Sequence, residues 1–195
     1  MPVELILFPL NNVLYPEGIL SLQILEPRHL SMVSHCCREQ KPFVAISLRE
    51  TNNSDKLALF NPIGTLATII NFDMPSTNLL KIKCRGKEKA KIISHQTQEN
   101  GLIIAQIKSL PPPSATEIPA KYHFLIHILE HHLQRDGMEK YRQHLEEDWD
   151  NSDWLGCRLS ELLPISQQQH YALLIMEPLE RLEKLKDIMK NKGWI

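Results

Sequence analysis

The sequence contains few cysteines, and their spacing excludes one class of protein. No C-x-x-C pair is present, and two cysteines that are adjacent in sequence rarely bridge each other. A disulfide framework of the kind found in small secreted domains is therefore not expected. The four cysteines are Cys36, Cys37, Cys84 and Cys157.

The sequence also lacks a long apolar run and a secretion signal. Pro9 and the pair Asn11-Asn12 interrupt the apolar run near the N-terminus, and no basic segment precedes that run. No stretch approaches the roughly 20 apolar residues that are needed to cross a bilayer. These absences predict a cytoplasmic protein without a membrane-spanning segment.

Neither sign of charge is in large excess, since 22 Lys and Arg residues stand against 23 Asp and Glu residues. The formal net charge of -1 argues against a surface that binds nucleic acid over its whole extent, and it leaves local basic patches open. The sequence also lacks the G-x-x-x-x-G-K-[ST] loop that holds nucleotide phosphates. ATP-driven activity is therefore not expected from these residues.

The first half of the sequence is predicted to be rich in β-strands and to contain one helix. Apolar residues recur there with a period of two, which is typical of strands. The helix follows Pro27 and is expected to bury Leu30, Val33 and Cys37. The polar residues 51–55 are expected to form an exposed hairpin loop. The predicted strands cover residues 4–8, 20–24, 43–48, 64–72, 79–93 and 102–110.

A run of three prolines, Pro111-Pro112-Pro113, marks the predicted boundary between two parts of the chain. Prolines favour stiff, extended geometry, and beyond this run the apolar period changes from two to about 3.6. Ser166 and Gln169 fit a capping box at the start of one of the later helices. The pattern predicts an α+β protein with a β-rich subdomain over residues 1–112 and a helical subdomain over residues 116–195.

The most informative pattern lies near the N-terminus. The first strand is expected to end at Pro9, because proline lacks a backbone donor. A tight turn is expected at Tyr15-Pro16-Glu17-Gly18, with a positive φ at the glycine. Glu26 precedes Pro27, which is well suited to the first position of a helix. Glu26 and Arg28 are interpreted as residues that cap this helix and tie it to the sheet.

This pattern resembles the N-terminal, substrate-binding domain of the Lon protease family, which carries F-P-L, a spaced proline and then L-x-I-x-E-x-R. The residues that carry the resemblance here are Phe8, Pro9, Leu10, Pro16, Leu22, Ile24, Glu26 and Arg28. The likeness continues through Ile63-Gly64-Thr65, Arg85-Gly86, Gly101-Leu102, Leu162-Leu163-Pro164 and Arg181-Leu182. It therefore covers most of the chain.

The resemblance implies a PUA-like β-barrel followed by a C-terminal helical bundle, and a role in binding unfolded polypeptide or a protein partner. It also implies a stand-alone recognition module, because the sequence contains neither an ATPase motif nor room for a peptidase domain after the bundle. No catalysis, cofactor or metal is expected. The contact surface is predicted at the turn that carries Tyr15 and Ile19, together with the cleft between barrel and bundle. No oligomeric state is predicted.

Histidines recur every four residues after the proline run, at His123, His127 and His131, with His132 beside them. This spacing places imidazoles on one side of a helix, where two of them can share a metal ion. The segment from His127 to His131 also fits the H-x-x-E-H pattern of inverted zinc peptidases. A metal-dependent hydrolase is therefore one alternative, and adventitious metal binding is another. The preferred interpretation is a solvated helix face.

Basic residues recur at strict two-residue spacing from Lys81 to Lys91. On one continuous strand they would form a basic stripe about 33 Å long, given roughly 3.3 Å per residue. RNA binding by a PUA-like module is therefore the second alternative. A bulge at Gly86 would split the stripe, and no aromatic residue lies between Phe72 and Tyr122 to stack on bases.

Overall fold

A computed structural model describes residues 2–49, 60–76 and 79–195 of the chain. The loop predicted over residues 51–55 lies outside these described residues. The chain divides into two compact units, Met1–Pro111 and Pro112–Ile195, and the division falls inside the triple-proline run. No helix in the described part of the chain combines the length and the apolar composition that crossing a membrane requires.

The first unit contains six strands and one helix among its described residues. Each strand overlaps one of the six predicted segments, and the two longest strands extend beyond the predicted ends. The helix begins at Pro27, as predicted. The elements are β1 (Val3–Leu10), β2 (Ile19–Ile24), α1 (Pro27–Glu39), β3 (Phe43–Ser47), β4 (Ile63–Ser76), β5 (Leu79–Thr97) and β6 (Ile103–Leu110).

The strands form one mixed sheet in the order β2-β5-β4-β3-β1-β6. β1 and β3 run parallel, and the other neighbouring strands run antiparallel. β5 also pairs with β6, because its 19 residues are long enough to meet three partners. The predicted α+β class is confirmed, but the sheet is not a regular barrel. One long strand with register shifts closes it, and β2 remains outside the closed set.

Two apolar clusters lie on opposite faces of this sheet. Successive residues of β1 alternate between them, so that Leu5 packs in one cluster and Ile6 in the other. The first cluster includes Ile6, Phe8, Ile24, Phe43, Ala67, Ile82 and Cys84, together with the buried face of α1. The second cluster contains Leu5, Leu7, Val44, Ile46, Leu66, Ala90, Ala105 and Ile107.

The turn after β1 packs against β5 through backbone atoms. The Gly18 N–H donates to the Tyr15 carbonyl at 3.0 Å, and the Gly86 N–H donates to the Gly18 carbonyl at 2.8 Å. A Cβ at Gly86 would lie 2.1 Å from the Tyr15 carbonyl oxygen, so only glycine fits. The positive φ predicted for Gly18 falls instead on Glu17, at +57°. Glu17 is the third residue of the turn, the position at which a type II turn requires that conformation.

The prediction that β1 ends at Pro9 is wrong. β1 continues to Leu10, and Pro9 pairs with Ile46 of the parallel strand β3. β6 pairs with β1 only as far as Leu7, so Pro9 lies beyond that ladder. Proline is tolerated in a strand where its missing N–H interrupts no ladder.

Helix α1 buries a different face from the predicted one. Met32, Val33 and Cys36 are buried, whereas Leu30 and Cys37 are exposed. The buried residues follow i, i+1 and i+4 spacing and pack into the first apolar cluster. Cys36, rather than Cys37, is therefore the core cysteine of this helix.

The second unit is helical, as predicted, and is organised around one buried helix. That central helix, α4, packs against α2, α5 and α6. The predicted capping box is confirmed at the start of α5, where the Gln169 N–H donates to the Ser166 side chain at 3.2 Å. The helices are α2 (His123–Leu133), α3 (Glu139–Arg142), α4 (Ser152–Leu162), α5 (Gln167–Ile175) and α6 (Pro178–Asn191), preceded by a 3-10 turn (Ala120–Tyr122).

A buried guanidinium ties three of these helices together. Arg181 of α6 donates to the Leu173 and Met176 carbonyls at 2.7 and 2.8 Å, where α5 ends. It also forms an ion pair with Asp153 of α4 at 2.5 Å. A helix leaves its last four carbonyls without helical partners, so a buried helix end needs donors of this kind. Gly156 of α4 gives the arginine space, since a Cβ there would lie 3.0 Å from its side chain.

The Gly86 packing leads to a first prediction. Gly86→Ala should lower the free energy of unfolding by about 1–3 kcal/mol, because the new methyl group meets a backbone carbonyl that side-chain motion cannot relieve. Lys87→Ala, at the exposed neighbouring position, should change it by less than about 0.5 kcal/mol. The measurement is the midpoint of urea unfolding for each variant. The slope of the unfolding free energy against urea concentration should be the same for both. Equal midpoints for the two variants would contradict the steric argument.

The Arg181 network leads to a second prediction. Arg181→Ala should destabilise the helical unit by about 3–5 kcal/mol, because it strands the Asp153 carboxylate and two helix-end carbonyls. The matched control is Lys184→Ala, which removes an exposed cation from the same helix. Thermal unfolding monitored by circular dichroism compares the two. A loss no larger than that of the control would show that the buried arginine is dispensable.

Candidate functional site

The motif residues near the N-terminus form contacts inside the first unit. The Phe8 ring lies 4.6 Å from the His29 ring and 5.9 Å from the Phe43 ring, measured between centroids. Burial lowers the pKa of His29, and the Glu26 carboxylate beside it partly opposes that shift. These contacts attach the start of α1 to the sheet.

Arg28 connects the start of α1 to the turn before β6. Its guanidinium pairs with the Glu26 carboxylate at 2.6 Å and donates to the Gly101 carbonyl at 3.2 Å. Gly101 has a φ of +82°, which favours glycine. Gly64 of β4 allows a close approach to the backbone of β3, since a Cβ there would lie 2.6 Å from the Ala45 carbonyl oxygen. These positions hold the sheet together at close backbone contacts.

The structure places the predicted peptide-contact residues at the turn, but mostly inside the protein. Tyr15 is completely buried, and Ile19 is half-buried where it pairs with Arg85 of β5. Pro16, between Tyr15 and Glu17, is also half-buried. A fully buried ring cannot touch a bound chain, so the burial of Tyr15 does not support a contact role. That role stays a prediction.

The basic residues from Lys81 to Lys91 do not share one face. On β4, Thr65 and Ala67 pair with Lys89 and Gly86, so β5 carries one extra residue between them. This bulge reverses the alternation of side chains. Before it, Ile82 and Cys84 pack in the first apolar cluster, whereas Ala90 after it packs in the second. The basic stripe is therefore split into two shorter groups on opposite faces of the sheet.

The histidines of α2 lie on its solvated side. His123, His127 and His131 are exposed, and the His127 Nδ1 lies 3.2 Å from Glu130. His132 Nδ1 lies 3.0 Å from the Ile128 carbonyl of its own helix. Among the described residues no group of three or more His, Cys, Asp or Glu side chains is placed to hold a metal ion. The metal-dependent hydrolase is therefore not favoured.

Among the described residues, each unit has at least one concavity that is open to solvent. The first, about 440 Å³, lies between β1 and α1 and is lined by Glu4, His35 and Lys41 with apolar neighbours. The second, about 660 Å³, lies in the helical unit and is lined by His131 and Trp194 among others. Their volumes fall in the range of small-molecule sites.

Cys36 lines the first concavity next to His35 but is not an activated nucleophile. Burial raises the pKa of Cys36 to about 11 and that of Cys84 to about 12, which is opposite to the shift that a reactive thiol needs. His35 and Cys36 are also consecutive on a helix, so their side chains diverge.

The surface that the sequence analysis missed is the outer end of the β4-β5 hairpin. Phe72 and Met74 of β4 are 67% and 64% exposed, a large exposure for apolar side chains of this size. Phe72 pairs with Ile82 of β5, which in turn pairs with Leu22 of β2. Side chains of paired residues lie on the same face. We call the resulting apolar surface the hairpin face; its paired members are Leu22, Ile24, Leu80, Ile82 and Phe72, and Met74 follows Phe72 at the next alternate position of β4.

The hairpin face grades from buried to exposed. Ile24 and Ile82 are almost completely buried in the first apolar cluster, whereas Phe72 and Met74 project beyond it. The alternation of Phe72 and Met74 with polar Asn71 and Asp73 is a signal that the strand continues beyond Phe72. The predicted strand ends at Phe72 and therefore does not include this alternation.

The opposite face of the same hairpin is polar and charged. Asn71 pairs with Lys83, and Asp73 pairs with Lys81. The hairpin is therefore amphipathic: the face that carries Phe72 is apolar, and the face that carries Asp73 is polar. An amphipathic sheet with an exposed apolar side commonly marks an interaction surface.

The first unit is a mixed sheet with one helix and the second is helical, so the fold is of the α+β class. The sequence model of the ATP-dependent protease La (LON) substrate-binding domain matches residues 4–191. Because this match spans nearly the whole chain, the protein belongs to the family of Lon substrate-binding domains. That domain is non-catalytic. No curated protein matches the chain.

Two solved structures resemble this chain over most of its length. A Lon N-terminal domain protein from Xanthomonas campestris superposes with a TM-score of 0.78 at 28% identity, covering 95% of this chain and 98% of that one. The N-terminal domain of a Mycobacterium avium complex Lon protease gives a TM-score of 0.69 at 14% identity, covering 95% and 97%. The second likeness shows the shared fold alone.

The cysteine environments lead to a third prediction. Iodoacetamide at pH 8 should alkylate exposed Cys37 quickly, whereas the raised pKa of Cys36 and Cys84 leaves those thiols about 100- to 1000-fold less ionised than unperturbed thiols. Peptide mass spectrometry at timed intervals gives the four rates. In urea all four thiols should react alike. Rapid native labelling of Cys84 would show that the first apolar cluster opens readily.

Proposed function

We propose that this protein binds unfolded or extended polypeptide segments through the hairpin face and that it catalyses no reaction. The observation that carries the proposal is the exposure of Phe72 and Met74 on an apolar face that continues into the core. A domain of the substrate-binding family needs a surface that prefers apolar polypeptide segments, and the hairpin face offers such a surface. Its working compartment is proposed to be the cytoplasm.

The geometry of the face suits a chain rather than a small molecule. Phe72 and Met74 stand on a strand and not in an enclosed cavity, so a ligand must cover them by lying across the sheet. Full burial of one such side chain is worth about 1.5–3 kcal/mol. Ordering a flexible peptide opposes binding, so the affinity is expected to be micromolar, or about -8 kcal/mol.

The two alternatives lack a comparable observation. The RNA-binding hypothesis requires a continuous basic stripe, but the bulge after Gly86 divides that stripe between two faces of the sheet. A metal-dependent hydrolase depended on the histidines of α2, which point to solvent. Polypeptide recognition is the function that both the family and the exposed face support.

A binding titration provides the fourth prediction. A permanently unfolded, carboxymethylated model protein should bind wild type with micromolar affinity, monitored by fluorescence anisotropy. The double variant Phe72→Ser/Met74→Ser should bind at least about tenfold more weakly, because each lost apolar contact costs more than about 1 kcal/mol. Both variant positions are exposed, so the melting temperature should stay close to that of wild type.

The matched control is Ile175→Ser/Leu179→Ser, which removes two apolar side chains that are 46% and 40% exposed in the helical unit. This control should bind like wild type. No binding by wild type at high micromolar concentration would overturn the proposed function. Equal binding by wild type and the Phe72/Met74 variant would overturn the choice of surface.

A further inference from the structure

We propose that the bound segment adds to the sheet as an extra strand along the outer edge of β4, beside Asn71–Met74. This inference rests on the proposed function and specifies how the polypeptide is held. The bound chain would then be recognised by its backbone as well as by its side chains. Such strand addition combines main-chain hydrogen bonds with side-chain pockets at alternate positions.

Among the described residues, the outer edge of β4 is open over this stretch. β3 pairs with β4 only from Thr65 to Ala67, whereas β4 continues to Ser76 with β5 along its inner edge. Within residues 2–49, 60–76 and 79–195, no strand pairs with the outer edge beyond Ala67. An open edge presents a row of backbone donors and acceptors that a further strand can satisfy.

A side chain occupies one of these edge positions. The Asn71 Oδ1 accepts a hydrogen bond from the Phe72 N–H at 2.8 Å. The carbonyl of an added strand would accept from the same N–H, so the Asn71 amide stands where the partner would bind. We interpret Asn71 as a replaceable cap, which protects the edge until a polypeptide displaces it.

The edge is short, which favours a peptide over a long strand from another sheet. Register shifts on β4 lie between Ile69 and Asn71 and between Asp73 and Ser76. Bulges of this kind interrupt a flat edge and limit how far pairing extends. The regularly paired stretch, Asn71–Asp73, therefore offers about three residues of backbone, and strands in proteins commonly contain only three to ten.

The side chains beside the edge define the preferred segment. Alternate residues of an added strand would lie next to Phe72 and Met74 on the apolar face, about 4.8 Å away in the pairing direction. The residues of the added strand between these would lie beside Asp73. The partner of Asp73, Lys81, lies on β5, on the far side of β4 from the added strand. The nearest charge is therefore negative. The preferred occupant is an extended segment that alternates apolar residues with polar ones, including a Lys or Arg opposite Asp73.

Backbone methylation separates strand addition from side-chain binding. The probe is a seven-residue peptide that alternates Leu with Lys or Thr, prepared with free amides or with N-methyl groups at either the odd or the even positions. A strand bonds along one edge only, so one methylated isomer should lose at least about tenfold in affinity and the other should bind like the unmodified peptide. Equal affinities for the two isomers, whether high or low, would overturn strand addition.

Asn71→Ala tests the cap. Removing the amide frees the Phe72 N–H, so the unmodified peptide should bind about two- to tenfold more tightly, the value of one net hydrogen bond. Thr68→Ala, at an exposed position earlier on β4, is the matched control and should leave the affinity unchanged. Weaker or unchanged binding by Asn71→Ala would overturn the role of Asn71 as a replaceable cap.

Two further readouts separate this inference from other outcomes. If the unfolded model protein binds in a Phe72-dependent manner while the methylated isomers do not differ, strand addition fails and the proposed function survives. If nothing binds, the proposed function itself fails. Sedimentation of Asn71→Ala should show a species of the same size as wild type with peptide present and absent; a new, larger species without peptide binding would assign the edge to a second copy of this chain and overturn strand addition by a peptide.

Discussion

The close approach of Gly86 to the Tyr15 carbonyl is the constraint on which the first unit depends. It fixes the turn after β1 against the middle of β5, and the backbone bonds between Gly86 and the turn hold it there. The extra residue of β5 follows immediately, so one strand serves the first cluster with Ile82 and the second with Ala90. β5 therefore contributes to the apolar clusters on both faces of the sheet.

Much of the fold could be predicted from local chemistry, because period and turn residues act over short distances. The six strands, the start of α1 at Pro27 and the Ser166 capping box all belong to this class. The wrong predictions concern positions whose environment is set by residues that are distant in the sequence. Pro9 continues its strand because a parallel neighbour pairs with it, and Cys36 is buried instead of Cys37 because the sheet sets the rotation of α1.

The candidate site was predicted less well than the fold. The turn from Tyr15 to Ile19 is predicted to present apolar side chains on a loop, but the Tyr15 ring belongs to the core. Exposure is a property of the assembled sheet, and no local pattern shows that β3 stops pairing at Ala67 and leaves Phe72 uncovered. The alternation at residues 71–74 gives the strand but not its environment.

The gradient along the hairpin face has an evolutionary consequence. Ile24 and Ile82 are buried and contribute to folding, whereas Phe72 and Met74 are mostly solvated and contribute little to it. Substitutions at the outer pair can therefore accumulate without loss of the native state, while those at the inner pair are removed by selection for stability. Ligand preference at the proposed surface can therefore change at these two positions without loss of the fold.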